Sequence, residues 1–165
     1  MMIFRPRYDM LRNPRTDEVL KRLVLETPDW VNVVALTPTR ELIVVRQFRF
    51  GTSSITTEIP GGVIDKGEAH AAAAQRELRE ETGYTSSRWT YLGAVEPNPA
   101  IHTNLCHHWL AEDAVRTHEL ELDGGEDIVI ATLSLEEARA RIQRGEIRHA
   151  LVVTALSHVL DLRSR

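Results

Sequence analysis

Four glutamates lie close together in a segment whose other residues favour a helix. They are Glu68, Glu77, Glu80 and Glu81. Alanine, which fills positions 71–74, has the highest helix propensity of any residue type, and glycine is the usual residue just beyond a helix end. We therefore predict a helix from Glu68 to Thr82 that ends at Gly83. On such a helix the last three glutamates project from one face, one turn apart.

These clustered carboxylates have two interpretations. Two of them about 4 Å apart repel each other by roughly 4 kcal/mol at an effective dielectric constant of 20, and by about 1 kcal/mol in water. The face is therefore either solvated, with Arg76 and Arg79 as counter-charges, or bound to a cation. Gly61, Gly62 and Gly67 allow bare backbone to approach, and oxygen-rich sites of this kind suit Mg²⁺ or Mn²⁺. Such ions bridge to substrate phosphates, which predicts phosphoryl-type chemistry.

Length and composition indicate one domain without a membrane span. The chain has 165 residues, which is near the common size of a single domain. Its net charge is −4, so a general nucleic-acid-binding surface is not expected. Cys106 is the single cysteine, so no internal disulfide forms, which fits a reducing compartment. Its apolar surroundings predict a core residue. We expect a cytoplasmic protein with no nucleic-acid or membrane partner.

The order of the other elements predicts a mixed α/β sandwich. Residues 1–29 are charged and interrupted by prolines, and we expect an arm or a small sheet there that packs on the body or on a second subunit. Apolar patterns predict strands within 30–36, 41–50, 55–59, 88–97, 103–113 and 126–134, and a Pro-Gly-Gly turn at 60–62. Ser134 and Glu137 predict a capping box for a helix to about residue 147. A last helix is expected at 149–163, with Leu151, Leu156, Val159 and Leu160 toward the core.

The spacing of the glutamate segment reproduces a known motif. Every fixed position of the Nudix box, G-x5-E-x7-R-E-U-x-E-E-x-G-U, is matched by Gly62, Glu68, Arg76, Glu77, Leu78, Glu80, Glu81, Gly83 and Tyr84. The chain therefore resembles the Nudix hydrolase family. Flanking residues extend the resemblance over most of a domain at 30–165, and it is closest to the ADP-ribose pyrophosphatase-like branch. The resemblance implies a Nudix-type α/β/α sandwich with a central mixed sheet.

The resemblance implies a site for Mg²⁺ or Mn²⁺ on the predicted helix. In the family the last glutamate of the box, here Glu81, is the central metal ligand, and the glutamate that corresponds to Glu77 is a second ligand. Glu80 is in a position that commonly shares metals. The residue before the first box glycine, here Gly61, often adds a backbone carbonyl.

Other box residues have implied structural roles. Arg76 orients a box glutamate by a salt bridge, and Glu68 ties the loop to the helix. Gly62 and Gly83 are structural. The alternative for Arg76 is an ordinary surface ion pair with Glu80, four residues further along the helix.

Residues outside the box are implied to contact the substrate. Glu58 occupies a position that faces substrate or metal, and Arg46 and Arg49 resemble arginines near the diphosphate. Strand alternation places these two arginines on opposite faces. Pro99 resembles the proline that accompanies ADP-ribose use. The alternative is a surface ion pair between Glu58 and an arginine.

Three aromatic side chains lie near these positions. Trp30, Phe48 or Phe50 could stack on a base, but we favour core packing for each of them.

The catalytic base is the point at which the chain departs from the branch. The branch often supplies a glutamate from an acidic loop, and Gly124 stands at that position. Asp123 and Glu126 flank it and are our candidates, because a base must come within hydrogen-bond range of its proton. Glu119 and Glu121 are further candidates. A solvated acidic loop is the alternative.

The resemblance implies an enzyme that hydrolyses the diphosphate of a nucleoside diphosphate linked to another group, X. ADP-ribose is the first choice, with AMP and ribose 5-phosphate as products, and other nucleotide sugars follow. A homodimer that uses the N-terminal arm is expected. The alternative is a catalytically weak nucleotide sensor or interaction module, which Gly124 supports and the intact box opposes.

Overall fold

The structure is a computed structural model that describes residues 4–121 and 128–163. The strands are β1 Arg5–Arg12, β2 Val19–Glu26, β3 Trp30–Ala35, β4 Glu41–Arg49, β5 Ser54–Glu58, β6 Gly61–Val63, β7 Tyr84–Thr85, β8 Arg88–Val95, β9 Cys106–Glu112, β10 Val115–Arg116 and β11 Ile128–Ser134. The helices are α1 His70–Thr82, α2 Leu135–Gln143 and α3 Ala150–Leu156.

Two sheets form the body of the protein. One has the strand order β6-β3-β9-β8, in which β3 and β9 are parallel and the other neighbours are antiparallel. The other is antiparallel, with the order β11-β4-β5. Strands β1 and β2 form a separate hairpin, and β7 pairs with β10. The predicted mixed α/β architecture is confirmed.

Alternating residues of the central strands contribute to two separate cores. On one side Val34 of β3 and Val44 of β4 pack with α2 and α3. On the other side Val33 and Ile43 pack with Ala73, Ala74 and Leu78 of α1. Because successive side chains of a strand point to opposite faces, one run of apolar residues supplies both layers. The helices therefore sandwich the sheets, as expected for this fold class.

Helix α1 begins two residues later than predicted. Its N-cap is Ala69, which offers no side-chain hydrogen bond. Glu68 instead accepts the N–H of Asp65 at 3.0 Å, so this side chain closes the preceding loop rather than the helix. The helix ends at Gly83, as predicted, in a left-handed conformation with φ of 72°. Cys106 is buried, as expected.

Two other elements differ from the sequence prediction. Gly61 to Val63 form strand β6 against Trp30 to Asn32, where we expected only a turn. Helix α3 ends at Leu156, whose carbonyl accepts the N–H groups of both Val159 and Leu160. Val159 and Leu160 still pack against the core. The spacing of apolar residues therefore predicted their burial correctly, but the predicted helix was too long. Leu151 is only partly buried, and Val152 next to it is a core residue.

The hairpin β1–β2 joins the body through backbone bonds at its end. The N–H of Leu25 donates to the carbonyl of Ile101 at 2.7 Å, and Leu25 accepts from Thr103 at 3.3 Å. The Phe4 ring lies 5.4 Å from the ring of His102. Most other hairpin residues are exposed.

In the described part of the chain no helix is long and apolar enough to cross a membrane.

A substitution at Gly83 tests how closely the chain around His118 packs against the end of α1. A Cβ at Gly83 would collide with the backbone oxygen of His118, whereas a Cβ at Gly145, also at φ of 72°, would meet nothing within 4 Å. We expect Gly145→Ala to cost about 1 kcal/mol, the strain of a left-handed backbone. Gly83→Ala should cost about 2 kcal/mol more because of the collision. Urea unfolding measures both, and equal losses would contradict the predicted close contact.

Candidate functional site

Arg76 binds several groups around the glutamate helix. Its guanidinium holds both carboxylate oxygens of Glu68, at 3.0 and 2.9 Å, and the carbonyl of Val63 at 3.0 Å. Its Nη1 donates to Glu77 at 2.7 Å and to Glu80 at 3.1 Å. These hydrogen bonds, above all those with Glu68, raise the pKa of Arg76. One cation of the chain therefore neutralises carboxylates on α1 and fastens the loop to the helix.

Gly61 and Gly62, the residue before the box and its first glycine, each lie against a glutamate. The N–H of Gly61 donates to Glu81 Oε2 at 2.9 Å, and Glu81 is 4% exposed. A Cβ at Gly62 would collide with the carboxylate of Glu77. Glu77 and Glu81 are thus brought to neighbouring points of one loop, and the carboxylate of Glu77 occupies space that a side chain at Gly62 would need.

The donor set of this site is chemically suited to a hard cation. Glu77, Glu80 and Glu81 offer carboxylate oxygens, the ligands that Mg²⁺ and Mn²⁺ prefer. Within residues 4–121 and 128–163, no group of three acidic, histidine or cysteine side chains is close enough together to hold a metal ion as it stands. Arg76 explains part of this, because it draws Glu77 and Glu80 toward its own charge. A divalent cation would compete with Arg76 for these two carboxylates.

A second buried carboxylate lies just before the loop. Glu58 is 4% exposed and accepts two hydrogen bonds from Arg49, at 2.9 and 2.8 Å, and one from Thr56 at 2.6 Å. Burial acts to raise the pKa of Glu58, but the hydrogen bonds from Arg49 and Thr56 and the charges of Arg49 and His149 outweigh it and lower the pKa. Glu58 is therefore an anion locked in place by Arg49.

The two candidate diphosphate arginines have different surroundings. Glu58 pairs with Val45 in the β4–β5 register, so it lies on the face of Arg49. Arg46 pairs with Thr57 and Val129, is exposed and belongs to the opposite face of β4. The ion pair that we considered as the alternative role is present for Arg49, and it also pre-orients this guanidinium.

The expectation of core packing for the aromatic residues of this strand was wrong. Phe48 is 48% exposed and Phe50 is 84% exposed. Their rings contact each other edge to face, 5.4 Å apart, at the turn end of the β4–β5 hairpin. The described residues leave both rings largely exposed there.

The loop that carries Pro99 lies at the N-terminal hairpin. Pro99 is exposed, and its turn is closed by hydrogen bonds from Ile101 and His102 to Asn98. The same turn bonds Leu25 of β2. A role for Pro99 in substrate binding stays a prediction.

The predicted bases Asp123 and Glu126 lie outside the described residues, as does Gly124. The N–H of Glu121 donates to the carbonyl of Glu80 at 3.0 Å, which brings the chain just before these residues to α1. Glu121 also lies 3.4 Å from Arg79, and Glu119 lies 3.4 Å from Arg116.

Comparison with known proteins assigns the family. The NUDIX domain family matches residues 27–156. The chain belongs to the NUDIX family. It is 34% identical to the ADP-ribose pyrophosphatase of Bacillus subtilis (strain 168) over 140 residues, 84% of this chain and 76% of that protein. It is 29% identical to the GDP-mannose pyrophosphatase of Citrobacter koseri over 163 residues, 92% of this chain and 84% of that one.

A solved structure shares the fold. The crystal structure of an ADP compounds hydrolase superimposes with a TM-score of 0.73 and covers 96% of this chain and 94% of its own. The two sequences are 23% identical, so this likeness concerns the NUDIX fold alone.

Sequence reasoning missed two residues that act on Glu58. Thr56 donates a hydrogen bond to Glu58. The sequence contained a signal for this contact, because residues two apart on a strand share a face. His149, just before α3, acts on Glu58 through its charge. No local sequence pattern predicts the role of His149, because His149 and Glu58 are far apart in the chain.

The pKa of Glu58 predicts a pH-dependent stability. A carboxylate whose folded pKa lies below its ordinary value of 4.5 stabilises the fold above that value, and the contribution is lost as pH falls through the folded pKa. Glu58→Gln should therefore cost about 2 kcal/mol at pH 7 and progressively less below pH 4.5. Urea unfolding between pH 7 and pH 3 measures this, with Glu18→Gln, at an exposed site, as control. A cost that is the same at every pH would refute it.

Proposed function

We propose that this NUDIX protein hydrolyses the diphosphate of a nucleoside diphosphate linked to a second group. ADP-ribose is the preferred substrate, and AMP and ribose 5-phosphate are the products. The observation that carries the proposal is the placement of Glu77 and Glu81 at consecutive glycines of the box loop. Relatives named ADP-ribose pyrophosphatase and GDP-mannose pyrophosphatase support the substrate class.

The metal site of the proposal consists of Glu77, Glu80, Glu81 and the carbonyl of Gly61. A divalent cation held there, Mg²⁺ or Mn²⁺, would supply positive charge for the diphosphate and would help to activate the attacking water. Arg76 orients Glu77 and Glu80 from the side of the loop. Since Arg76 also holds Glu68, loss of this arginine would release the loop and the ligands together.

The substrate side of the proposal uses the strand before the box. Arg49 binds the diphosphate, and its two bonds to Glu58 fix the plane of the guanidinium, which suits bidentate phosphate recognition. Arg46 and Pro99 contact the remainder of the substrate. Asp123 or Glu126 accepts the proton of the attacking water. The described chain before them reaches α1 at Glu121, whose N–H donates to the carbonyl of Glu80.

Hydrolysis of ADP-ribose with and without divalent cations tests the proposed function. We expect release of AMP only with Mg²⁺ or Mn²⁺. Glu81→Gln should lower kcat by about 1,000-fold, because a metal site supplies several kcal/mol of transition-state stabilisation.

Glu136→Gln is the matched control, because Glu136 is an exposed glutamate of another helix. It should keep the kcat of the wild type. AMP release that is equal in EDTA and in Mg²⁺ would refute the metal-dependent reaction.

We also propose a homodimer that uses the N-terminal hairpin. The register places Tyr8 and Met10 on one face with Val19 and Leu23, and all of these are exposed. Lys21 shares this face, with its Nζ 4.6 Å from the centre of the Tyr8 ring. The opposite face carries ion pairs such as Arg7 with Glu26. A hairpin of two strands is marginally stable alone in water, and an apolar face favours cover by a second copy.

Neighbouring positions on opposite faces of β1 test the dimer. Met10→Lys places a second positive charge directly opposite Lys21 and should weaken dimerisation at least about tenfold, since burying an unpaired charge is costly. Leu11→Lys, on the other face, should leave the dimer intact. Light scattering after size exclusion measures the mass of each. A wild-type monomer, or equal effects of both substitutions, would contradict the proposed interface.

A further inference from the structure

A cavity of about 270 Å³ lies between the edge strand β5 and the segment that joins α2 to α3. Strand β5 contributes Ile55, Thr56 and Thr57, and the joining segment contributes Gly145, Glu146, Arg148 and His149. We call this cavity the β5 pocket. None of these residues belongs to the NUDIX box.

The β5 pocket adjoins the Glu58–Arg49 ion pair. Thr56 lines the pocket and also donates to Glu58, the carboxylate that holds Arg49. Strand β5 ends at Glu58, and three residues later Gly61 bonds Glu81. A group linked to a diphosphate at Arg49 would reach the pocket over the edge of β5, past Thr56.

The lining suits hydroxyl groups better than a nucleobase. The side-chain donors and acceptors come from threonine, histidine, arginine and glutamate. His149 Nδ1 is buried without a hydrogen-bond partner among the described residues, and a buried polar atom of this kind is stabilised when a ligand group pairs with it. The one ring in the lining is the imidazole of His149, whereas base recognition commonly uses larger aromatic surfaces for stacking.

We propose that the β5 pocket binds the sugar attached to the diphosphate, the group X that distinguishes one nucleotide sugar from another. Thr57 and His149 donate to and accept from its hydroxyls. This assignment rests on the proposed function, because it takes the diphosphate to lie at the glutamate helix.

Binding of ADP-ribose and of ADP separates the sugar from the rest of the ligand, since ADP lacks the second sugar. Isothermal titration of the wild type in EDTA should show tighter binding of ADP-ribose. Thr57→Val should weaken ADP-ribose about tenfold, the loss of one hydrogen bond, and leave the affinity for ADP unchanged. His149→Ala should weaken ADP-ribose about tenfold and ADP by less, because the charge of His149 also acts on Glu58. His149 offers no side-chain cap to α3, so His149→Ala keeps the start of that helix.

Thr90→Val is the matched control, because Thr90 is an exposed strand threonine of the other sheet. With Mg²⁺ present, the two pocket variants should raise the KM for ADP-ribose about tenfold, with kcat within twofold of the wild type. Wild-type protein that binds ADP-ribose no more tightly than ADP overturns the pocket assignment. Variants that weaken both ligands equally overturn it as well and place the adenosine half there. An inactive wild type that still shows the expected binding pattern defeats the hydrolase proposal alone.

Discussion

The ion pairs of Arg76 are the interactions on which the candidate site depends. Glu77, Glu80 and Glu81 stand within about one turn of a helix, where each pair of carboxylates repels by about 1 to 4 kcal/mol according to its solvation. Arg76 compensates this charge and binds Glu68 and the carbonyl of Val63 at the same time. The end of β6, the loop and α1 are therefore one unit, and Arg76 holds Glu77 and Glu80 until a cation competes for them.

That unit forms because small residues let backbones approach. Ala73 and Ala74 are fully buried where α1 packs on the sheet, and larger side chains there would push the helix away. Gly62 leaves the space that the carboxylate of Glu77 occupies. The alanines of the helix and the glycines of the loop thus have the same effect: they let the carboxylates of α1 lie against the backbone of β6. The same residues also favour the helix and the tight loop locally.

Strand β5 links this unit to the rest of the proposed substrate site. Arg49 and Thr56 both donate to Glu58, and Thr56 also lines the β5 pocket. The relatives carry the names of pyrophosphatases for ADP-ribose and for GDP-mannose, substrates that share a diphosphate and differ in sugar and base. We infer that the box serves the shared diphosphate, and that residues outside it, at the β5 pocket among others, serve the differing parts.

Local chemistry made much of this predictable. The spacing of box residues, the alanine run and Gly83 specified α1, its acidic face and its end, and alternation on β4 placed Arg46 and Arg49 on opposite faces. These features depend on residues a few positions apart. The length of α3, the pairing of β6 with β3 and the exposure of Phe48 and Phe50 depend on which distant segments cover which surface, and no periodicity records that.

The sequence by itself thus determined the family, the layered fold and which carboxylates form the acidic face, because helix and strand periods and motif spacing are local properties. Only the tertiary structure decided which group each carboxylate contacts: Arg76 for Glu77 and Glu80, the Gly61 N–H for Glu81, and Arg49 for Glu58. The physical reason is that a buried charge takes its partner from whichever chain segments the packing brings within hydrogen-bond distance, and packing is a property of the whole chain.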